Sequence, residues 1–407
     1  MTIAAQPTLR FKYFLASFAK TFDETAPAIA RAFAYLSIPA SMVYAGAIIS
    51  MIPVALFGLI SFLRGADPRR GLSAIAVFGA AWFCLFVVLD AANGTLPFDD
   101  ASTAAKAFFV LIALPFVIIG IRASRVRPEI VLAITGISLF VAAGLILLPD
   151  LIGSDERPLR LFPGPSLQPI EFGFVVVLLG IALLSASLRS AQPDWALFAF
   201  ALVALVPAAA TGSRIVWACA LAGYIAVATT WAITHRLWLT LGSAALAIVA
   251  GAIILLQTEF FSQRISGLLG DLTKMTRGDS SGDAVGRRFE ELSIAWNAFL
   301  QRPLSGYGIQ QLHNEYAAQL VSFGLPGLLF VLSFLVFFAV TATRTGDPVA
   351  RMFGIAASVS LAIFMLASAV LSFPNRFGVL FVLLAFTVAS SSNAANAVVR
   401  RAPAQTP

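Results

Sequence analysis

The stretch FGFVVVLLGIALLSASL, residues 172 to 188, carries no charge over its whole length, and comparable stretches recur along the chain. In water they would all have to be buried at once, with too few polar residues left to cover them. A membrane removes that difficulty. Roughly 20 apolar residues in helical form cross a bilayer core, and a helix satisfies its own backbone polar groups there. Composition agrees: 59% of the 407 residues are hydrophobic, 12% are charged, and mean hydropathy is +0.90, where soluble domains carry about 25% charged residues. Alternating segments of β-barrel type are absent. The fold class is therefore all-α, a polytopic membrane protein. Twelve spans are predicted, near residues 28–44, 46–63, 72–90, 104–121, 129–148, 169–187, 195–210, 213–233, 237–257, 314–342, 350–370 and 374–391.

Charge sets the expected orientation. Arg64, Arg69 and Arg70, then Arg122, Arg125 and Arg127, then Arg189, Arg236, Arg344 and Arg351 lie in connections that alternate with acidic or neutral ones. The positive-inside rule makes these cytoplasmic. Arg10, Lys12 and Lys20 before the first span, and Arg400 and Arg401 after the last, place both termini inside. An even number of spans follows, which favours a hairpin over one long helix for residues 28–63. The net charge of +7 is then mostly a topology signal and does not argue for nucleic acid. Cys84 and Cys219 lie in apolar runs and form no disulfide framework. The N-terminal stretch lacks a compact apolar region with a small-residue cleavage site, so its first span is expected to stay as an anchor. The chain reads as a single integral membrane domain, residues 1–407.

One outer connection departs from the rest. Residues 258–312 form a long loop, and long loops are functional or disordered far more often than short ones. Within it, Phe289, Leu292, Trp296, Phe299 and Leu300 recur at helical spacing. This predicts an amphipathic helix resting on the membrane surface or on the bundle. The loop holds six basic and six acidic residues, so an anion site there must depend on particular side chains. Arg287 and Arg288 fall near the predicted helix start, where backbone N–H groups and the helix dipole favour a negative ligand; the alternative is a pair of solvated surface charges. Arg214 follows the turn Thr211-Gly212-Ser213 and enters the first turn of a span, where it either holds an anion or snorkels to the interface. His313 follows the glycines of RPLSGYG and is expected to open the next span. A helix N-terminus there disfavours imidazolium and favours the neutral ring, which accepts a proton. A polar cap is the simpler role for a lone histidine, and His235, in a cytoplasmic turn, fits that role better.

TGSR opening a span, then after two spans a long outer loop with arginine, a helix, RPLSGYG, and HNEY leading into FGLPGLL, resembles the O-antigen ligase and Wzy-type polymerase superfamily. The similarity covers residues 205–340; the first 200 residues agree in span count only. The resemblance implies a twelve-span, metal-independent glycosyltransferase of the bacterial inner membrane. It implies an active site facing the periplasm and a glycan donor carried on undecaprenyl pyrophosphate. The acceptor would be lipid A-core for a ligase, or a growing glycan for a polymerase. Family function maps onto Arg214, onto Arg288 at fifteen residues before Pro303, and onto His313. Many members carry tryptophan four residues after the loop arginine, where this chain has Leu292, so Arg287 stays beside Arg288 as a pyrophosphate ligand.

The implied chemistry fits these residue types. Arginine binds phosphate oxygens bidentately and stays charged, so two arginines can neutralise the leaving pyrophosphate. His313 would take the proton of the acceptor hydroxyl, with inversion in one displacement. No cofactor is expected, since the sequence has neither a P-loop pattern nor an outer-face cluster with metal-ligand spacing. Tyr307, Asn314, Tyr316 and Arg376 are further candidates for sugar or phosphate contact, by location alone. Ligase is the preferred reading and polymerase the alternative. A transporter or flippase is the reading from another class, and it would call for ionisable groups or broken helices near the midplane.

Overall fold

A computed structural model of the chain describes residues 24–40, 42, 46–64, 84, 87–89, 91, 93, 116–151, 169–211, 213–235, 284–308, 312–344 and 347–368. Among these residues every regular element is a helix and there is no strand. In chain order they are α1 (24–40), α2 (Gly46–Leu63), α3 (116–123), α4 (Pro128–Leu151), α5 (Pro169–Ser187), α6 (Trp195–Val203), α7 (Leu205–Ala210), α8 (Arg214–His235), α9 (Ala284–Gln301), α10 (Glu315–Thr343) and α11 (Pro348–Phe364). By length and composition α4, α5, α8 and α10 can each cross a membrane. The expected spans 46–63, 129–148, 169–187, 195–210 and 213–233 fall on helices within a few residues. Those at 237–257 and 374–391, and most of 72–90 and 104–121, lie outside the described residues.

Local chemistry sets the boundaries. The Asp194 carboxylate accepts from the N–H groups of Ala196 (3.0 Å) and Leu197 (3.2 Å) and so caps α6. Asp347 caps α11 from the N–H of Val349, with Pro348 at the first helical position. Pro207 cannot donate to the Val203 carbonyl, and the helix divides into α6 and α7 at Ala204. α11 ends at Phe364, earlier than the expected 370, and its last residues turn through Ser368.

The core is built around α5. From Glu171 to Leu188 every residue except Ala182 is buried, enclosed by α4, α6, α7, α8 and α11. α8 and α11 pack most extensively, and their contact is made by small residues. Cys219 Sγ donates to the Ser360 carbonyl (3.3 Å) and Ser360 Oγ to the Cys219 carbonyl (2.9 Å), while Gly223 leaves room for Ser360 and Ile181.

These contacts define two ends of the bundle. At one, Phe174 near the start of α5 stacks on Phe364 at the end of α11, 4.0 Å between centroids, and Gly173 abuts Thr211 and Val216 beside the start of α8. At the other, Trp231 Nε1 donates to the Ser190 carbonyl at 2.9 Å, and Gly354 of α11 abuts Ala342 of α10. This second end carries Arg189, Arg344 and Arg351. The grouping of turns on one side, expected from sequence, is seen for these three arginines.

The N-terminal helices depart from expectation. Arg31 Nε donates to the Ser124 carbonyl (2.8 Å), and the Tyr35 hydroxyl accepts from the Arg127 N–H (3.0 Å). The middle of α1 therefore lies at the turn where a crossing helix would have its end, and α1 does not form the first arm of a spanning hairpin. α2 and α3 approach closely through Gly58 against Phe116 and Gly120 against Val54, and Phe62 packs on Phe116. That pairing is antiparallel. It directs Arg64 away from the Arg122–Arg127 turn, not to the same side as expected.

Candidate functional site

α10 begins by clamping onto the end of α11. Asn314 is its N-cap: Oδ1 accepts from the Ala317 N–H (3.1 Å), and Nδ2 donates to the Leu366 carbonyl (3.0 Å). The Glu315 N–H donates to the Met365 carbonyl (2.9 Å) and the Tyr316 hydroxyl to the Ala362 carbonyl (3.0 Å). The hydrogen-bonding groups of Asn314 and Tyr316, read from sequence as candidates for substrate contact, thus serve this clamp. It also fixes the level of Arg214. Cys219 meets Ser360, and Arg214 and Met365 each lie five residues beyond that contact, about 7.5 Å along antiparallel helices. Arg214, exposed as the first residue of α8, stands at the same end as His313.

α10 is interrupted within its length. Gly324 breaks it with φ 65° and ψ −149°. The first piece carries Glu315, Gln319 and Ser322, all buried, with Gln319 Nε2 donating to Glu315 Oε1 at 2.8 Å. The second, Leu325–Thr343, rises about 28 Å and matches a hydrocarbon core of roughly 30 Å by itself. The break frees backbone groups, and the loop Pro303–Gly308 takes them. Tyr307 N–H donates to the Val321 carbonyl (2.9 Å), Gly308 N–H to that of Ser322 (3.0 Å), and Leu325 N–H to that of Pro303 (2.7 Å). Gly306, at φ 66°, lies against Ser322, and Gly324 lies against Pro303, so neither position has room for a Cβ. Asn93 Nδ2 adds a bond to the Ser305 carbonyl at 2.9 Å.

This interlock ties α9 to the start of α10. Ala295 is buried with Ala317 and Val321, and Ala298, Tyr307 and Leu312 pack around them. The face of α9 turned to the bundle is thus the one carrying Glu291, Ala295 and Ala298. The apolar stripe, expected to rest on the membrane surface or on the bundle, faces largely away from the bundle: Leu292, Trp296 and Leu300 are exposed, with Ile294 beside them. Tyr307 donates to Gln301 Oε1 at 2.7 Å, and the Arg302 guanidinium sits over its ring.

His313 lies one residue before the cap, outside the helix it was expected to open. Its Nδ1 is 3.0 Å from Glu291 Oε1 and 3.2 Å from Oε2. The imidazole is the more exposed partner, at 71% against 30% for the carboxylate. Arg287 and Arg288 are the fourth and fifth residues of α9, one turn before Glu291 on the same helix. Arg376 and residues 258–283 lie outside the described residues. Among the described residues, no three His, Cys, Asp or Glu side chains group as metal ligands would. Sequence reasoning missed Glu291; helical spacing sets both Glu290 and Glu291 away from the apolar stripe and does not single out either.

The arrangement provides an exposed imidazole paired with a carboxylate, an arginine at the head of α8, and a helix bearing two more arginines, all at one end of an apolar bundle. Compared with models of known protein families and with curated protein sequences, the chain matches none.

Proposed function

We propose that this chain is a metal-independent, inverting membrane glycosyltransferase of the O-antigen ligase type. It would transfer a glycan from undecaprenyl pyrophosphate to lipid A-core on the periplasmic face of a bacterial inner membrane, in lipopolysaccharide biosynthesis. The observation that supports this most is the location of His313, Arg214 and the Arg287–Arg288 helix at one end of the bundle, with Arg189, Arg344 and Arg351 at the other. In the proposed orientation the end with Arg189, Arg344 and Arg351 faces the cytoplasm. Residues 237–257 would then lead out to the periplasmic loop 258–312, and residues 374–391 would return the C-terminus to the cytoplasm. The first 64 residues follow the α1 and α2 contacts in place of the expected hairpin. From residue 116 onward the expected order of spans is kept; with α1 no longer a span and α2 reversed, the count of twelve does not carry over to the residues before it.

In this mechanism Arg214 and Arg288, with Arg287 beside it, hold the pyrophosphate and neutralise charge as it develops on the leaving group. His313 removes the acceptor proton. The acceptor oxygen forms its bond to the anomeric carbon as the bond to pyrophosphate breaks, with the electron pair leaving on the phosphate oxygen. A polymerase of glycan repeat units would use the same groups and is the alternative within the superfamily. A break such as that in α10 is a feature that a transporter would share, but here the Val321 and Ser322 carbonyls and the Leu325 N–H are bonded to the loop Pro303–Gly308, where a transporter would turn such groups to its cargo.

Deleting the gene tests the reading. Loss of long glycan from lipopolysaccharide with accumulation of lipid-linked polymer is the expected result. Accumulation of single lipid-linked repeat units would make the chain a polymerase, and unchanged surface glycan would remove it from the pathway.

A further inference from the structure

The Glu291–His313 contact has a direction that the two distances alone do not state. A carboxylate accepts hydrogen bonds and has none to donate, so the imidazole nitrogen facing it must carry a hydrogen. Both Glu291 oxygens lie within 3.2 Å of Nδ1. The neutral ring is thereby held with its proton on Nδ1, leaving the Nε2 lone pair open to take another. Free histidine prefers the opposite tautomer, so the protein must impose this one. The rigidity to do so is present: Ala295 is buried against Ala317 and Val321 one turn after Glu291, and Asn314, the next residue after His313, is fixed by two hydrogen bonds.

We propose that Glu291 is the positioning residue of the transfer reaction. It presents Nε2 of His313 to the acceptor hydroxyl and stabilises the imidazolium formed when that nitrogen takes the proton. The carboxylate itself stays ionised throughout, as orienting carboxylates do in triads. The role in transfer rests on the glycosyltransferase reading; the tautomer assignment does not. His313 lies outside α10 and faces a carboxylate, so a directional hydrogen bond sets its ring.

The test uses the fact that the chain has only two histidines. His235→Gln leaves His313 as the sole reporter. The full-length protein, labelled with ¹⁵N-histidine in nanodiscs, is examined at alkaline pH where the ring is neutral. The expected spectrum is that of the Nδ1–H tautomer, shifting toward Nε2–H in Glu291→Ala. A wild-type spectrum dominated by Nε2–H, or one unchanged by Glu291→Ala, overturns the assignment. In parallel, single-turnover transfer and donor affinity are measured for Glu291→Gln and Glu291→Asp. Transfer at saturating donor should fall roughly 10²- to 10⁴-fold in Glu291→Gln with donor affinity unchanged, and Glu291→Asp should recover part of the loss. Normal transfer in Glu291→Gln, or loss of donor affinity equal to the loss of rate, overturns the positioning role. Absence of transfer in the wild type would fail the parent reading alone and leave the tautomer result standing.

Discussion

Replacing either glycine of the interlock should undo both halves of it. In Gly324→Ala the added Cβ points at Pro303, and an alanine held at φ 65° and ψ −149° bears about 1–3 kcal/mol of strain. The chain can relieve that strain by closing α10 into a continuous helix, which expels the loop. The three backbone hydrogen bonds from Pro303, Tyr307 and Gly308 are then lost, at about 1 kcal/mol each. With the clash of that Cβ on the Pro303 backbone added to the strain, either route costs about 3 kcal/mol or somewhat more. Gly306→Ala meets Ser322 from the other side and loses the same three bonds. The double variant should therefore lose little more than either single one, with a coupling of about 3 kcal/mol, since one interlock cannot be broken twice. Thermal unfolding of the four proteins in one detergent provides the measurement. Each single variant should fall by several degrees and the double variant by nearly the same amount. Single variants with unchanged Tm, or a double variant whose loss equals the sum, would refute the reasoning.

Asn314→Ala removes both the cap and the tie to Leu366 and should cost about 1–2 kcal/mol; Asn314→Asp, which keeps only the cap, should cost less in the same unfolding assay. Arg288→Lys keeps its charge but loses the bidentate fork, so donor binding should weaken at least several-fold. His313→Ala should bind donor normally and fail in transfer; weakened binding with near-normal turnover at saturating donor would make His313 a phosphate ligand. Transfer by purified protein should persist in excess EDTA, and restoration by magnesium or manganese after its loss would contradict the two-arginine mechanism. In a Cys84→Ser background, with Cys219 buried, a cysteine at the exposed Asn297 should be labelled by an impermeant reagent in spheroplasts, and one at Thr343 should not. Labelling at position 343 alone would invert the orientation.

The sequence was most informative where hydrocarbon solvation decides the outcome. α4, α5, α6–α7 and α8 fall where their apolar runs are, because length and lack of charge are sufficient to specify a long apolar helix. It was least informative where partners distant in the chain decide. The run GLPGLLFVLSF reads as uninterrupted apolar helix, and only the docked loop shows that Gly324 leaves helical geometry. α9 shows another limit: periodicity located the helix and its stripe but left open whether the stripe rests on the membrane surface or on the bundle, and only the fold shows that it faces away from the bundle. Arg214 and His313 were legible because each sits at a helix head beside a turn. Glu291 was not, being one of six acids in a loop of balanced charge; only the fold distinguishes it from Glu290. The reversed sense of α2 was hidden too, since arginine counting sees side and never pairing.

The burial of α5 has a consequence for how the protein is made. Its neighbours α6, α7 and α8 follow directly, but α11, which closes one flank, is encoded only after everything from Leu188 to Asp347. At roughly 5–20 residues per second, α5 waits on the order of ten seconds with that flank toward lipid. A helix enclosed only by protein could tolerate polar residues wherever a partner matched them. The uniformly apolar sequence from Phe172 to Leu184 suits the interval as much as the finished bundle: it is written for the solvent that α5 meets during synthesis and then leaves.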